Sequence, residues 1–187
     1  MERFATLFAR AADKAPFDHT AATLATANAE GAPSARIVLV RHHDERGFTF
    51  FTNYHSRKGL EIAQNPAASL CFYWPWLDEQ VRAEGRLEKV SAAESDEYFA
   101  TRPRGSQIGA WASSQSEPLA NRSDLEARYF DTERHYEGAV VPRPPHWGGY
   151  RLTPERIEFW KAGQYRLHDR VVYRRTADGW ETETLYP

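Results

Sequence analysis

The feature that most restricts how this chain can fold is a series of short, β-prone segments separated by tight turns. Residues 81–88 are the clearest case, because small or apolar residues alternate there with charged ones, as in a strand with one face on the core. Turns such as Asn28-Ala29-Glu30-Gly31 are too short for a crossover connection, so the strands that flank them pair antiparallel. The other predicted strands are residues 23–27, 35–42, 48–52, 69–74, 150–152, 157–160 and 170–174, and one more after Asp178-Gly179.

Helices are inserted among these strands and do not alternate with them. Apolar residues at helical spacing predict a first helix within residues 1–20. Ser56, Ser91 and Ser123 each stand where a helix would be capped, and the last two are followed three residues later by Glu, as in a capping box. The segment between the last two helices is polar and is predicted to be irregular. Together these segments predict a mainly β (α+β) fold, an antiparallel barrel with flanking helices, and argue against a parallel α/β sheet.

Length and charge narrow the class of protein further. A chain of 187 residues builds one substantial core, so residues 1–187 are predicted to form a single domain. A formal net charge of -2 gives no general attraction for polyanions, so we expect neither a nucleic-acid nor a membrane partner. Charged residues interrupt the N-terminal segment and no stretch reaches the length of a membrane span, which favours a cytoplasmic protein. The single cysteine, Cys71, has no partner for an intramolecular disulfide bond.

The first candidate site combines cations with a helix start: Arg36 and Arg41 on one strand, and Arg57 and Lys58 directly after Ser56. A phosphate monoester needs several charge-assisted donors at once, and guanidinium groups, a hydroxyl and the free N–H groups of a helix start supply them. A solvated basic face would explain any one of these residues equally well. Arg36 argues against that alternative, because its neighbours on the strand are apolar and its guanidinium must leave a buried environment or meet an anion.

The second candidate site surrounds Tyr98, Arg102 and Ser106. Tyr98 and Arg102 are four residues apart on one predicted helix face, and Pro103 ends that helix so that Ser106 can fold back towards them. These groups would suit a second phosphate. The alternative is a helix C-terminus whose arginines only complement the helix dipole. The pair Gln115-Ser116 adds an amide and a hydroxyl, which is weak evidence by itself.

The third candidate site is the segment Arg166-Leu167-His168-Asp169-Arg170. If this segment is extended, Arg166, His168 and Arg170 point to one face and place positive charge beside a titratable imidazole. Such crowding of cations is costly unless an anion binds there. The alternative is that His168 is only hydrogen-bonded to Asp169 or to the backbone.

Other chemistries are not supported by the sequence. His42 and His43 are adjacent on a predicted strand and point to opposite faces, so they make a poor metal pair, and we predict no metal site. No Gly-x-Ser-x-Gly elbow organises a serine nucleophile. The segment Trp147-Gly148-Gly149 is interpreted as a tight β bend.

In combination, these segments resemble the pyridoxine/pyridoxamine 5'-phosphate oxidase family over nearly the whole chain, from about Leu24 to Pro187. The resemblance implies a split β-barrel homodimer that binds two FMN molecules in clefts between subunits. Residues 142–187 would then supply strands for dimerisation and substrate binding. The most specific matching motifs are Arg36-Ile37-Val38-Leu39, Phe51-Thr52-Asn53-Tyr54 with Ser56-Arg57-Lys58, Arg102-Pro103 with Ser106-Gln107-Ile108-Gly109-Ala110-Trp111, and the stretch from Trp147-Gly148-Gly149-Tyr150 to Arg166-Leu167-His168-Asp169-Arg170.

The resemblance also implies a role for each candidate residue. Arg166 and His168 would be catalytic and would lie over the pyridine ring of the substrate. The substrate phosphate would be bound by Arg41, Tyr98, Arg102 and Ser106. FMN would be bound by Arg36, Phe51, Thr52, Arg57, Lys58, Gln80, Gln115, Ser116, Trp160 and Arg170.

The implied activity is FMN-dependent oxidation of pyridoxamine 5'-phosphate, pyridoxine 5'-phosphate or both to pyridoxal 5'-phosphate, a step of vitamin B6 metabolism in which dioxygen becomes hydrogen peroxide. Two departures from the family pattern bear on the substrate. Arg41 stands where relatives usually carry Lys, which exchanges a flexible point charge for a planar fork. The chain also begins later than some relatives, whose N-terminal Arg and Tyr cover the substrate, so looser closure is expected.

Two alternatives remain open at this point. A related FMN oxidase acting on another aromatic substrate, of the phenazine-tailoring type, would keep the FMN residues but would not need Tyr98, Arg102 and Ser106. A non-catalytic flavin- or pyridoxal-phosphate-binding module would not need Arg166 and His168. All five residues are present, which favours the oxidase.

Overall fold

The computed structural model describes residues 1–187 and contains eight strands in one antiparallel sheet. Pairing of β3 with β6 closes the strands β3-β2-β1-β4-β5-β6 into a barrel, and β7 and β8 continue the sheet outward from β6. The predicted fold class, a mainly β antiparallel barrel with flanking helices, is confirmed. The strands are β1 (Ala21–Ala27), β2 (Pro33–Asp44), β3 (Gly47–Asn53), β4 (Ala67–Trp74), β5 (Glu79–Lys89), β6 (Trp147–Lys161), β7 (Asp169–Thr176) and β8 (Gly179–Thr184).

Five helices flank the barrel. None of them is both long enough and apolar enough to cross a membrane. They are α1 (Glu2–Asp13), α2 (Arg57–Gln64), α3 (Ala92–Thr101), α4 (Arg104–Ala112) and α5 (Arg122–His135).

The N-terminal helix α1 packs into the main core of the barrel. Phe4 is fully buried, and its ring lies 4.7 Å from that of Phe48 and 5.1 Å from that of Phe72. Trp76 Nε1 donates to the carbonyl of Ala11 at 3.1 Å and so fixes the C-terminal end of the helix. The predicted N-terminal helix is therefore confirmed. Each large apolar side chain that it buries contributes about 1.5–3 kcal/mol to the stability of the fold.

The longest strand, β6, has 15 residues, whereas two separate strands were predicted at 150–152 and 157–160. The predicted interruption was wrong, because Pro154 lies at a register shift opposite Gly85, where a missing amide hydrogen does not break the ladder. Gly85 is required there, since a Cβ atom would lie 2.1 Å from the carbonyl oxygen of Thr153. The first part of β6 pairs with β3 and the last part with β7, so this strand joins the barrel to its extension.

Gly148 and Gly149 lie in the regular first part of β6, so the predicted tight bend is wrong. Their role is to admit neighbouring side chains. A Cβ atom on Gly148 would lie 2.0 Å from the hydroxyl of Tyr54, and one on Gly149 would lie 2.6 Å from Cγ2 of Val90. The two glycines therefore let these side chains pack directly on the backbone of β6.

Helix boundaries in the middle of the chain were predicted in part. The capping box at Ser91 is confirmed, with the hydroxyl accepting from the N–H of Glu94 at 3.1 Å. The one at Ser123 is wrong, because α5 begins after Asn121 and Ser123 lies inside its first turn. The segment predicted to be irregular contains α4. Pro103 follows the end of α3 and occupies the N-cap position of α4, where its missing amide hydrogen costs nothing.

A second, smaller core holds α3 and α4 against the start of β6. Gln107 Nε2 donates to the carbonyl of Phe99 at 2.9 Å and joins the two helices. This core fixes both helices beside β3 and the start of β6. Its buried members are Phe99, Ile108, Val141 and Trp147.

Candidate functional site

A cleft of about 770 Å³ lies between β2, β3, α3 and α4. Its volume is in the range of small-molecule and cofactor sites. The cleft thus combines Arg41 and Lys58 of the first candidate site with the second candidate site. Eight of the predicted site residues line it: Arg41, Phe51, Thr52, Lys58, Tyr98, Arg102, Ser106 and Gln115.

Lys58 lies in this cleft at the start of α2, whose first turn is capped by the side chain of Ser56. Its side-chain nitrogen donates to Thr52 Oγ1 at 3.1 Å, to Ser56 Oγ at 3.2 Å and to Gln115 Oε1 at 3.2 Å. None of these partners is charged. Burial, with the nearby Arg36 adding repulsion and Glu61 partly offsetting it, lowers the pKa of Lys58 to about 8. The ammonium group therefore has hydrogen bonds but no direct carboxylate partner.

Arg36 and Arg57, two further cations of the first candidate site, meet a buried carboxylate that the sequence did not suggest. Glu61 is 5% exposed and accepts from Arg36 Nη2 at 3.2 Å and from Arg57 Nε at 2.9 Å. Burial alone would raise the pKa of Glu61, but hydrogen bonds from Ser34, Thr26 and these arginines lower it to about 2. Arg36 thus meets an anion, as predicted, and that anion belongs to the chain itself.

Arg102 is the other cation of the cleft without a carboxylate partner. Its guanidinium carbon lies 4.6 Å from the ring centre of Trp147 and 5.5 Å from that of Phe99. Its Nη1 atom is buried and has no hydrogen-bond partner. Burial lowers the pKa of Arg102, although not enough to discharge a guanidinium. A buried donor without a partner is costly, and a bound anion would satisfy it.

Three aromatic rings form one wall of the cleft. The ring of Phe51 stacks on that of Tyr98 at 4.0 Å and on that of Trp147 at 5.6 Å. The interplanar angles, 18° and 11°, are close to parallel. Phe51 and Tyr98 were predicted site residues. Trp147 was not, because a tryptophan at the start of a strand cannot be distinguished by sequence from an ordinary core residue.

Arg41 reaches the cleft from a β-bulge between Val40 and His42. Its Nη1 lies 3.7 Å from a carboxylate oxygen of Asp18 and donates to Thr20 Oγ1 at 3.4 Å. The guanidinium is therefore partly paired within the chain. His42 and its neighbour in sequence point to opposite faces of β2, as predicted, and the ring of His42 lies 5.8 Å from that of Tyr98.

A second group of predicted residues does not line the cleft: Gln80, Trp160, Arg166, His168 and Arg170. Trp160 is paired with Gln80 on β5 and with Arg170 on β7, and its ring lies 4.6 Å from that of His168. Trp160 and the cleft residue Trp147 stand near opposite ends of the 15-residue strand β6. At about 3.3 Å per residue, they are separated by roughly 40 Å along the strand.

The loop between β6 and β7 is not extended, so the predicted common face of Arg166, His168 and Arg170 is wrong. Tyr165 and Arg166 both adopt left-handed backbone conformations, with φ of 56° and 64°. Arg166 is exposed, whereas Arg170 donates from Nε to Glu158 Oε1 at 2.8 Å. His168 Nδ1 accepts from the backbone N–H of residue 163 at 3.2 Å, which agrees with the alternative of a backbone-bonded histidine.

Ser116, the last predicted cofactor residue, is exposed and has a φ of 74°. It follows the cleft residue Gln115 but does not line the cleft itself. In a single chain Ser116 therefore lies outside the lining of the cleft.

Comparisons with known proteins agree on one family. Residues 9–182 match the family model described as Pyridoxamine 5'-phosphate oxidase. A Myxococcus xanthus protein named pyridoxine/pyridoxamine 5'-phosphate oxidase is 56% identical over 187 residues, which cover 100% of this chain and 91% of that protein. A protein of the same name from Rubrobacter xylanophilus is 53% identical, over 100% of this chain and 86% of its own length.

Two solved structures extend the comparison. PhzG from Burkholderia lata 383, in complex with tetrahydrophenazine-1-carboxylic acid, has a TM-score of 0.94 and 33% identity, and the match covers 100% of this chain and 91% of that one. A pyridoxamine 5'-phosphate oxidase-related, FMN binding protein from Nostoc punctiforme has a TM-score of 0.78 and 20% identity, over 100% of this chain and 96% of that one. The second likeness concerns the fold alone.

Proposed function

The chain belongs to the pyridoxamine 5'-phosphate oxidase family and is an oxidoreductase, and we propose that it uses FMN to oxidise phosphorylated B6 vitamers to pyridoxal 5'-phosphate. The substrate is pyridoxamine 5'-phosphate, pyridoxine 5'-phosphate or both, and dioxygen is reduced to hydrogen peroxide. One observation carries this proposal: the cleft contains two cations without a carboxylate partner, Lys58 and Arg102. Cofactor and substrate each carry a phosphate, so the reaction needs two anion sites in one cavity.

The surroundings of Lys58 fit the phosphate of FMN. A phosphate there would supply the missing counter-charge of the ammonium group and would accept from backbone N–H groups at the start of α2. Thr52, Ser56 and Gln115 already hold Lys58 Nζ in place, so little side-chain entropy is lost on binding. Bound flavin supplies the hydride acceptor and passes the electrons to dioxygen.

The surroundings of Arg102 fit the phosphate of the substrate. Arg102, Ser106 and Arg41 all line the cleft, and the buried Nη1 of Arg102 has no hydrogen-bond partner within the chain. Charge-assisted hydrogen bonds of this type contribute about 1.5–3 kcal/mol each. A dephosphorylated vitamer would leave Arg102 unsatisfied and would bind much more weakly. The proposed role of these residues is thus to select phosphorylated substrates.

We further propose that the working enzyme is a homodimer in which each cleft is completed by a second copy of the chain. The second group of predicted residues, with Trp160 and Arg170, is too far along β6 to reach the cleft of its own chain. Ile37 and Leu39 on the wall of the cleft are 63% and 37% exposed, which is unusual for apolar strand residues and suits an interface. A two-fold dimer would contain two such composite sites.

In this arrangement Arg166 and His168 of the second copy would act on the substrate. The backbone hydrogen bond to His168 Nδ1 places the proton of the neutral ring on Nε2, which is then the donor available to the substrate. Arg166 projects from a turn fixed by two left-handed residues. Their role would be to orient the C4' group of the vitamer and to stabilise charge that develops on its substituent. Closure of the dimer around them would exclude water from the reacting atoms.

The similarity to PhzG makes a phenazine-type substrate the second candidate function. The relatives named pyridoxine/pyridoxamine 5'-phosphate oxidase are more similar in sequence, at 56% against 33% identity, and this favours the B6 vitamers. A third candidate is a flavin-binding module without turnover. It would bind the cofactor, but no vitamer would reduce the bound flavin.

Steady-state turnover of the purified, FMN-loaded protein tests the proposal. Oxygen uptake and aldehyde formation are followed with pyridoxamine 5'-phosphate, pyridoxine 5'-phosphate, pyridoxamine and pyridoxine. We expect turnover with at least one phosphorylated compound, with equimolar aldehyde and peroxide, and a large loss of kcat/KM without the phosphate. Inactivity with all four, combined with oxidation of a reduced phenazine carboxylic acid, would replace the proposal by the second candidate.

A further inference from the structure

We infer that Trp147 is a positioning residue that holds the Arg102 guanidinium ready for the substrate phosphate, in place of the carboxylate that would otherwise hold it. The inference rests on the proposed function, because Arg102 is there assigned to the substrate phosphate. Trp147 lines the cleft and is 7% exposed. It is not among the residues that the family resemblance assigns to the site.

Arg102 differs from the other arginines with low exposure in this protein. Those arginines are each paired with a carboxylate: Arg36 with Glu61, Arg143 with Asp96, Arg151 with Glu94, and Arg156 and Arg170 with Glu158. Arg102 has no such partner and instead lies over the face of Trp147 at 4.6 Å. Among these arginines of low exposure, only Arg102 therefore has an aromatic face in place of a carboxylate.

The chemistry of stacking explains why this exchange favours anion binding. A carboxylate holds a guanidinium through its N–H groups and would compete with a phosphate for them. An aromatic ring attracts the cation through the face of the guanidinium plane and leaves all of the N–H groups free at the edge. This agrees with the buried Nη1 of Arg102, which has no hydrogen-bond partner in the protein. Trp147 thus offsets part of the free-energy cost of burying the Arg102 guanidinium and leaves its N–H donors free.

The ring of Trp147 is itself fixed from several sides. It stacks on Phe51 at 5.6 Å and meets Phe99 edge to face at 5.2 Å. Its carbonyl accepts from Arg143 Nη1 at 2.6 Å, which holds the start of β6. The backbone of Arg102 is also restricted, because it precedes Pro103 and adopts the extended conformation that a following proline requires. Both partners of the stack are therefore preorganised.

The test compares Trp147→Leu with Trp147→Phe in FMN-loaded enzyme. Leucine removes the aromatic face and phenylalanine retains it. We expect Trp147→Leu to raise KM for the phosphorylated vitamer about tenfold, the factor that corresponds to roughly 1.4 kcal/mol of lost cation–π attraction. We expect kcat to change little, the inhibition constant of inorganic phosphate to rise in parallel, and Trp147→Phe to restore most of the affinity. A general loss of packing would lower kcat and flavin content without this dependence on the phosphate.

The variant Arg102→Met separates the inference from the proposed function. If Arg102→Met leaves the preference for phosphorylated vitamers intact, the proposed role of Arg102 is wrong and the inference falls with it. If Arg102→Met abolishes the preference, Trp147→Leu should have no further effect on KM in the Arg102→Met background, because two residues that act as a unit are not additive. Additive effects in the double variant, or an unchanged KM in Trp147→Leu alone, would overturn the inference while the proposed function stands.

Discussion

Lys58 combines near-complete burial with a cage of hydrogen bonds that contains no negative charge. Its pKa of about 8 in the ligand-free protein reflects that environment. A phosphate placed beside it would favour the charged form and would raise this pKa again. Cofactor binding must therefore be linked to the uptake of a proton above about pH 8.

The first prediction concerns this linkage. Since Lys58 is charged below pH 8 and neutral above it in the free protein, the affinity for FMN should fall as the pH rises through 8. We expect the dissociation constant of FMN, measured by quenching of flavin fluorescence, to rise about tenfold from pH 7 to pH 9. The variant Lys58→Arg should bind FMN with little change over the same range, because a guanidinium remains protonated. A pH-independent dissociation constant for the unsubstituted protein would contradict the assignment of Lys58.

At the scale of residues, the sequence predicted that a side chain needs a partner only where the chemistry of that side chain demands one. A guanidinium among apolar strand residues must leave the buried environment or meet an anion, so the sequence indicated that Arg36 needs one of the two. The identity of its partner, Glu61, was not, because the two residues are brought together by the packing of α2 against β1 and β2. For the same reason the contact of Arg102 with Trp147 could not be foreseen, since 44 positions separate them in the chain.

At the scale of elements, the helix α2 lies close to the turn that precedes it. This close approach sets the position of Lys58 and of the residue that caps the helix. Gly59 permits this approach. A Cβ atom on Gly59 would lie 2.1 Å from the carbonyl oxygen of Tyr54, which is a backbone atom that cannot rotate away. The position of the first turn of α2, and with it the proposed cofactor site, depends on this one glycine.

The second prediction follows from this contact. Gly59→Ala should displace the first turn of α2, lower the free energy of unfolding by roughly 1–3 kcal/mol and weaken FMN binding. The matched control is Gly109→Ala in α4, where an added Cβ atom meets nothing within 4 Å. That substitution should stabilise the protein by about 0.5–1 kcal/mol, because alanine favours the helix. Chemical denaturation measures both, and equal effects of the two variants would refute the role of Gly59.

Helices and strands were predictable where the local pattern of apolar and polar residues agrees with the tertiary environment. Strands with one face on the core, such as residues 81–88, show the alternation that burial produces. The pattern failed at β6, because the bulge beside Pro154, where Glu155 is the extra residue, depends on pairing with Gly85 of β5. It also failed at α4, whose polar start was interpreted as irregular although Pro103 suits the beginning of a helix. These boundaries depend on neighbours that are distant in sequence.

At the scale of the whole molecule, most of the predicted site residues fall into two groups that one chain does not bring together. The cleft contains eight of them, whereas Gln80, Trp160, His168 and Arg170 gather around the junction of β5, β6 and β7. Motifs in sequence identify such residues but cannot assign them to one chain or two. The closed barrel was predictable from strand pattern; the separation of the two groups was visible only in the structure.

The third prediction is that variants from the two groups complement each other. Lys58→Met removes the proposed cofactor cation of the cleft, and His168→Ala removes the proposed catalytic imidazole of the second group. Each homodimer should be inactive. A mixed dimer would contain one site built from two intact halves, so random reassembly of equal amounts should restore about a quarter of the original activity. No gain over the separate variants would show that each site is built from a single chain.

Anaerobic mixing of FMN-loaded protein with a phosphorylated vitamer isolates the step on which the proposed function depends. The absorbance of oxidised flavin is recorded against time, with pyridoxamine 5'-phosphate, pyridoxine 5'-phosphate and their dephosphorylated forms at equal concentration. We predict that at least one phosphorylated compound reduces the flavin and yields one equivalent of pyridoxal 5'-phosphate. Its dephosphorylated form should react far more slowly, because Arg102 and Ser106 then have no phosphate to bind. Flavin that stays oxidised with all four compounds, or that is reduced equally fast with and without the phosphate, would contradict the proposed reaction and its phosphate site.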